Sequence, residues 1–244
     1  MTIEICASNI ASAVAAHRGG ARRIELCAGL ALGGLSPSVG AIEVALSLPG
    51  LQTCVMLRPR EGDFCYSTAE LAAILGDIVF CRSVGAHGVV CGIQKPDGTI
   101  DEEATGRIIE ACGDMPFVFH RAFDRVPDQF EALETLIRLG ATRILTSGGQ
   151  ATAWEGREQL GKLIKQAAGR ITVMPGSGVR VHNIVALQRA IGATDIHLSA
   201  GGYLTGSSGG NNTVNIQGDA GIPAADWYET DSKTVEEVVA LFAD

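Results

Sequence analysis

The sequence predicts a single-domain α/β fold, a TIM-type (β/α)8 barrel, on three observations. Its 244 residues are close to the roughly 250 usual for that architecture. A Gly-Ala pair opens a short apolar run four times, and strand-like segments alternate regularly with helix-like ones. The four runs are GARRIELCAG from Gly20, GAHGVVCG from Gly85, GATRILTSGG from Gly140 and GATDIHLSAGG from Gly192, with starts 65, 55 and 52 residues apart, each spacing long enough for two β-α units. Four further β-type runs lie between them, which brings the strands to eight.

Taken in order, the first strand is Thr2–Ser8 and leads into a helix in which Ser8 or Asn9 can cap the start while Gly19 and Gly20 stop the end. The second strand, inside GARRIELCAG, precedes a helix over Ser38–Leu48. The third, Thr53–Arg60, precedes Thr68–Val84, and the fourth, inside GAHGVVCG, precedes Asp101–Cys112. The fifth strand, Pro116–Asp124, leads to a helix over Pro127–Leu139, and the sixth, inside GATRILTSGG, to Ala153–Ala168. The seventh, Ile171–Gly178, leads to Val181–Ala190. After the eighth, inside GATDIHLSAGG, a long loop is expected at 201–230 and a last helix at 232–243. The Gly/Ser/Asn-rich part of that loop, Gly201–Asp219, is expected to lie over the barrel mouth, with Trp227 and Tyr228 packing where the chain returns. No second composition regime interrupts the alternation, so one domain over 1–244 and a closed parallel barrel are expected, not an open doubly wound sheet.

Composition narrows the function. Hydrophobic residues at 46% and charged residues at 19% supply a large core and give no case for disorder. A net charge of −8 with no cluster of Lys and Arg argues against a nucleic-acid partner. No stretch of about 18 apolar residues and no signal-type N-terminus is present, so a cytoplasmic protein without a membrane partner is expected. Seven cysteines, an odd number without CxxC pairs, read as reduced thiols.

Because strand residues alternate faces, the register of the interior can be read directly. Ile3, Ile5, Ile24, Leu26, Val55, Leu57, Phe119, Ile196 and Leu198 suit the helix-facing side. Glu4, Cys6, Arg23, Glu25, Cys27, Met56, Arg58, His120, Asp195, His197 and Ser199 then point inward. A barrel filled only for stability would carry Val, Ile and Leu there. Buried Glu, Arg and His must be mutually satisfied or await a ligand. Two readings follow: a closed network of Glu4, Glu25 and Arg58 that orders the barrel, or a functional site at the carboxyl ends of the strands.

Three constellations carry chemistry. In FHRAFD, His120 can act as acid or base with a carboxylate, Glu25 or Asp124, to orient it, and Arg121 lies beside it. The glycine-rich turns MPGSGV, with Gly176, Ser177 and Gly178, and LSAGG, with Ser199 after His197, suit a small anionic ligand, reinforced by Arg58 and Arg60. Cys6 and Cys27, inward near the ends of adjacent strands, suit a shared soft metal ion such as Cu(I), which accepts two thiolates more readily than Zn(II) does.

The segments RIELC, GGLSPSVG, MLRPREGDFCY, FHRAFD, ILTSGG, VMPGSG and HLSA, in that order from Arg23 to Ala200, resemble the copper homeostasis protein CutC family. The resemblance implies a TIM barrel, a cytoplasmic location, homo-oligomers and Cu(I) as cofactor, bound through cysteines that correspond here to Cys6 and Cys27. Two functions are therefore carried forward. The first is a CutC-type copper-homeostasis protein. The second is a barrel enzyme that uses Glu25, His120 and Asp124 on a small phosphate- or carboxylate-bearing substrate held by Arg58, Arg60, the 176–178 turn, His197 and Ser199.

Overall fold

The computed structural model describes residues 1–206 and 226–243. Eight parallel strands carry the fold: β1 (Thr2–Ala7), β2 (Arg23–Leu26), β3 (Gln52–Met56), β4 (Gly88–Cys91), β5 (Phe117–Phe119), β6 (Arg143–Thr146), β7 (Thr172–Pro175) and β8 (Asp195–Leu198). Strands β1 to β7 pair consecutively and β8 pairs with β1, so the order runs β7-β6-β5-β4-β3-β2-β1-β8. The sheet thereby curls until β7 lies beside β8, and the barrel is nearly closed. Helices α1 (Ile10–Arg18), α2 (Val39–Leu46), α3 (Thr68–Ser83), α4 (Glu102–Cys112), α5 (Gln129–Leu139), α6 (Arg157–Ala167), α7 (Val181–Ile191) and α8 (Ser232–Ala240) follow the strands one by one.

Strand alternation sorts the core into two layers. Ile5, Ile24, Val55, Phe119, Ile144 and Ile196 face outward and join helix residues such as Ala13, Ile74, Ile108, Leu133, Leu163 and Val235 in one continuous apolar layer. Inside the barrel sits a smaller cluster of Cys6, Cys27, Cys54, Met56, Val90 and Val118. Helix ends are set locally. Asn9 caps α1 by accepting from the Ser12 N–H at 2.7 Å. At its other end Gly19 lets α1 close on α8, because a side-chain Cβ there would lie 2.5 Å from Cβ of Val235.

Two expectations from the sequence are corrected. The fifth strand, expected over Pro116–Asp124, stops at Phe119, and Arg121–Arg125 form a 3₁₀ turn. The segment expected as a loop over 201–230 contains a two-stranded antiparallel ribbon, β9 (Gly201–Leu204) with β10 (Trp227–Thr230). Tyr203 and Tyr228 meet edge-on at 5.5 Å across it. The ribbon is pinned to α1, since the Asn9 side chain donates to the Tyr228 carbonyl at 3.0 Å and the Thr230 N–H donates to Oγ of Ser12 at 3.0 Å. Beyond residue 206 the expected cover over the mouth lies outside the described residues.

Candidate functional site

The amino-terminal half of the barrel interior is closed by charge. Arg23, buried on β2, donates to Oε2 of Glu4 at 2.6 Å and to Oδ2 of Asp195 at 2.5 Å. Glu4 also accepts from His197 Nδ1 at 2.8 Å. The register explains this cluster, because Glu4 stands opposite Arg23 on one side and His197 on the other. Burial alone would push the Glu4 carboxyl up, but the His197 hydrogen bond and the charges of Arg23, His197 and Arg143 hold it at about 2. His197 goes the other way: burial lowers it, yet the Glu25 charge and the Glu4 hydrogen bond carry it above its ordinary value. The ordering network thus consists of Glu4, Arg23, Asp195 and His197, in place of the expected Glu4, Glu25 and Arg58.

Toward the carboxyl ends of the strands lies a cavity of about 320 Å³. Of the residues singled out from the sequence, Cys6, Glu25, Met56, Arg58, His120, Arg121, Ser177, Gly178, His197 and Ser199 line it. Glu25 sits fully buried on β2 and makes only a long contact, accepting from Cys6 Sγ at 3.9 Å, while Oε2 has no partner among the described residues. Burial, which outweighs the attraction of His197, raises its carboxyl to about 7. His120 accepts the Ala122 N–H on Nδ1 at 3.2 Å and packs at 4.8 Å against the Phe64 ring, leaving Nε2 without a partner among the described residues. Burial and the nearby Arg58 charge lower it to about 3, so it stays neutral.

Arg58, one residue past Leu57 and only 5% exposed, donates to the carbonyls of Leu32, Gly34 and Gly62 and lies 5.0 Å from the centroid of the Phe64 ring. Cys6 and Cys27 approach to 3.9 Å between sulfurs, both buried and free, with Glu25 completing a set of three donor groups within 4.8 Å of one another. Cys6 faces the cavity, and its neighbour Cys27, burial and Glu25 together push its thiol well above the ordinary value.

Other sequence candidates are placed elsewhere. Asp124 does not orient His120; its carboxylate accepts from Thr146 Oγ1 and from the Ser147 and Gly149 N–H groups and pairs with Arg121 at 2.8 Å. It fastens the 3₁₀ turn to the loop after β6. Arg60 is turned away from the cavity, paired with Glu70 at 2.6 Å and Asp63 at 3.0 Å. The Gly176 N–H is already spent on the Thr146 carbonyl, and its missing side chain makes room for Leu145, whose Cδ1 lies 2.6 Å from where a Cβ would be. Ser199 accepts from the Tyr228 hydroxyl at 2.7 Å.

Sequence reasoning missed Arg180, Phe64 and Leu30 on the cavity wall, because none of them belongs to a strand pattern. It also missed a second donor set, Glu4, Glu25 and His197, which only the strand register brings together. Among the described residues no helix is long and apolar enough to cross a membrane.

Comparison with known proteins agrees with this geometry. The CutC family model matches residues 1–202. A CutC family protein of Porphyromonas gingivalis is 48% identical over 199 residues, covering 82% of this chain and 80% of its own length. The copper homeostasis protein cutC homolog of Homo sapiens is 46% identical over 198 residues, 81% of this chain and 72% of its own length. The crystal structure of the CutC protein from Streptococcus agalactiae matches with a TM-score of 0.78 at 33% identity, over 82% of this chain and 98% of that one.

Proposed function

Because this chain belongs to the CutC family, we propose that it serves copper homeostasis by holding Cu(I) between Cys6 and Cys27 at the barrel mouth. The observation that carries the reading is the pair of free, buried thiols 3.9 Å apart on neighbouring strands. Soft thiolates favour Cu(I), whereas a structural zinc site needs four ligands and this one offers two sulfurs and one carboxylate. The apolar lining of Met56, Val90 and Val118 around the sulfurs keeps water from competing for the ion.

Cys6 is the thiol that faces the cavity, so copper enters from the mouth and meets it first. With its thiol pushed well up, Cys6 is protonated at neutral pH, and the incoming ion displaces that proton. Glu25, beside both sulfurs, is the acceptor at hand. All seven cysteines are free, which fits the reducing cytoplasm that we also propose as its setting, with self-association as in the family resemblance.

Anaerobic titration of the reduced protein with Cu(I) against a competing chelator tests the reading. Wild type should retain one ion per chain, and a Cys6→Ser, Cys27→Ser variant with unchanged circular dichroism should retain none. Equal retention by both proteins overturns it.

A further inference from the structure

Copper binding leaves most of the mouth cavity unexplained. The protein carries a net charge of −8, yet three guanidinium groups line this cavity, Arg58, Arg180 and the Asp124-paired Arg121, with Glu25 the one carboxylate on its wall among the described residues. A site built only for a cation would not be walled this way, because like charges raise the cost of its entry.

Arg58 is the exception among the buried cations. Arg23 is matched by Glu4 and Asp195, and His197 by Glu4. No carboxylate lies within ion-pair distance of Arg58 among the described residues; its contacts are neutral carbonyls, and its Nε has no partner. A guanidinium 95% buried without a counter-charge is tolerated when an anion is to be received beside it. Arg180, exposed at the rim, is likewise without a carboxylate among the described residues, and its one side-chain hydrogen bond goes to the Val179 carbonyl.

The turn after β7 supplies the second half. Ser177 has φ 79° and Gly178 φ 66°, a left-handed conformation that is strained for Ser177 and is held by its hydroxyl donating to the Ala151 carbonyl at 2.8 Å. In this conformation the N–H groups of Ser177, Gly178 and Val179 find no acceptor among the described residues, and all three residues line the cavity. They stand just before the amino end of α7, whose dipole adds to the positive field.

We propose that the mouth cavity binds the phosphate group of a small phosphorylated metabolite, seated on the Ser177–Val179 amides and clamped by Arg180, Arg121 and Arg58. At about 320 Å³ the cavity has room for a phosphate ester of a few carbons. The remainder of the ligand shares the cavity with Glu25 and His120. The site goes beyond the copper reading and stands or falls separately from it.

Calorimetric titration of the full-length reduced protein with inorganic phosphate and with glycerol 3-phosphate, at constant ionic strength, tests the proposal. Saturable one-site binding is expected, with glycerol 3-phosphate the tighter ligand. Arg180→Gln, an exposed position that leaves the fold intact, should weaken it at least tenfold, and Arg121→Gln should do the same. Cys6→Ser, Cys27→Ser should leave phosphate binding unchanged, while Arg180→Gln should leave Cu(I) retention unchanged. Absence of saturable binding in wild type, or equal binding in wild type and Arg180→Gln, overturns it.

Discussion

Replacing Glu25 by Gln in the metal-free protein should make stability less sensitive to pH, by an amount the structure sets. Burial lifts the Glu25 carboxyl from 4.5 to about 7, so the folded state binds this proton more tightly than the unfolded chain does. The stability that the protonated form contributes is complete below about pH 4.5 and drains away as pH rises through 7. The gap between those values, at roughly 1.4 kcal/mol for each pH unit, corresponds to about 3 kcal/mol lost between pH 4 and pH 8. Gln cannot ionise and is spared that loss, but its buried amide lacks a partner and costs about 1 kcal/mol at every pH. Glu25→Gln should therefore be about 1 kcal/mol less stable than wild type at pH 4 and about 2 kcal/mol more stable at pH 8. Urea unfolding of both proteins at the two pH values, followed by circular dichroism, measures the difference. Glu4, which titrates near 2, is ionised in the folded state of both proteins at both pH values, and His197, which the Glu25 charge helps to hold above its ordinary value, falls back in the variant and flattens the profile in the same direction. A wild-type-to-variant difference that is the same at pH 4 and pH 8 would refute the reasoning.

Three further outcomes follow from the same geometry. Arg23→Ala leaves buried Glu4 with His197 alone and Asp195 with only the longer Arg143 contact at 3.7 Å, and should cost about 3 kcal/mol in urea unfolding, with no comparable loss for Arg60→Ala at the half-exposed Glu70 pair. Glu4→Gln should remove the part of acid unfolding that develops between pH 4.5 and about 2, visible as a flatter stability profile over that window alone. Gly92→Ala places a Cβ 2.5 Å from His120 Nδ1, so it should shift the His120 imidazole resonances and cost about 1–3 kcal/mol, while Gly76→Ala, with open space around it, should do neither.

The barrel was readable because alternation in short strands leaves little freedom. Ile3, Ile5, Ile24 and Leu26 can only face the helices, which turns Glu4, Cys6, Arg23 and Glu25 inward, as found. Alternation gives the face of the sheet but not the depth along the barrel axis. Arg58 was therefore expected to pair with Glu4 and Glu25, whereas the stagger between strands puts Arg23 beside Glu4 and leaves Arg58 at the mouth among loop carbonyls. The Cys6–Cys27 approach was inferred from adjacent strands, yet Cys6 stands opposite Glu25 in the register and the two sulfurs meet across an offset of two residues. Asp124 shows a different limit: a carboxylate near a histidine in sequence was diverted by the 3₁₀ turn toward the amides of Ser147 and Gly149. Arg180 gave no signal because loop residues carry no periodicity.

X-ray absorption at the copper edge on the Cu(I)-loaded protein tests the central claim most directly, since it reports the atoms bound to the metal. Cys6 and Cys27 predict a first shell dominated by two sulfurs, absent from the Cys6→Ser, Cys27→Ser variant loaded in the same way. A shell of nitrogen and oxygen alone, or a sulfur shell that survives the double substitution, would contradict the account.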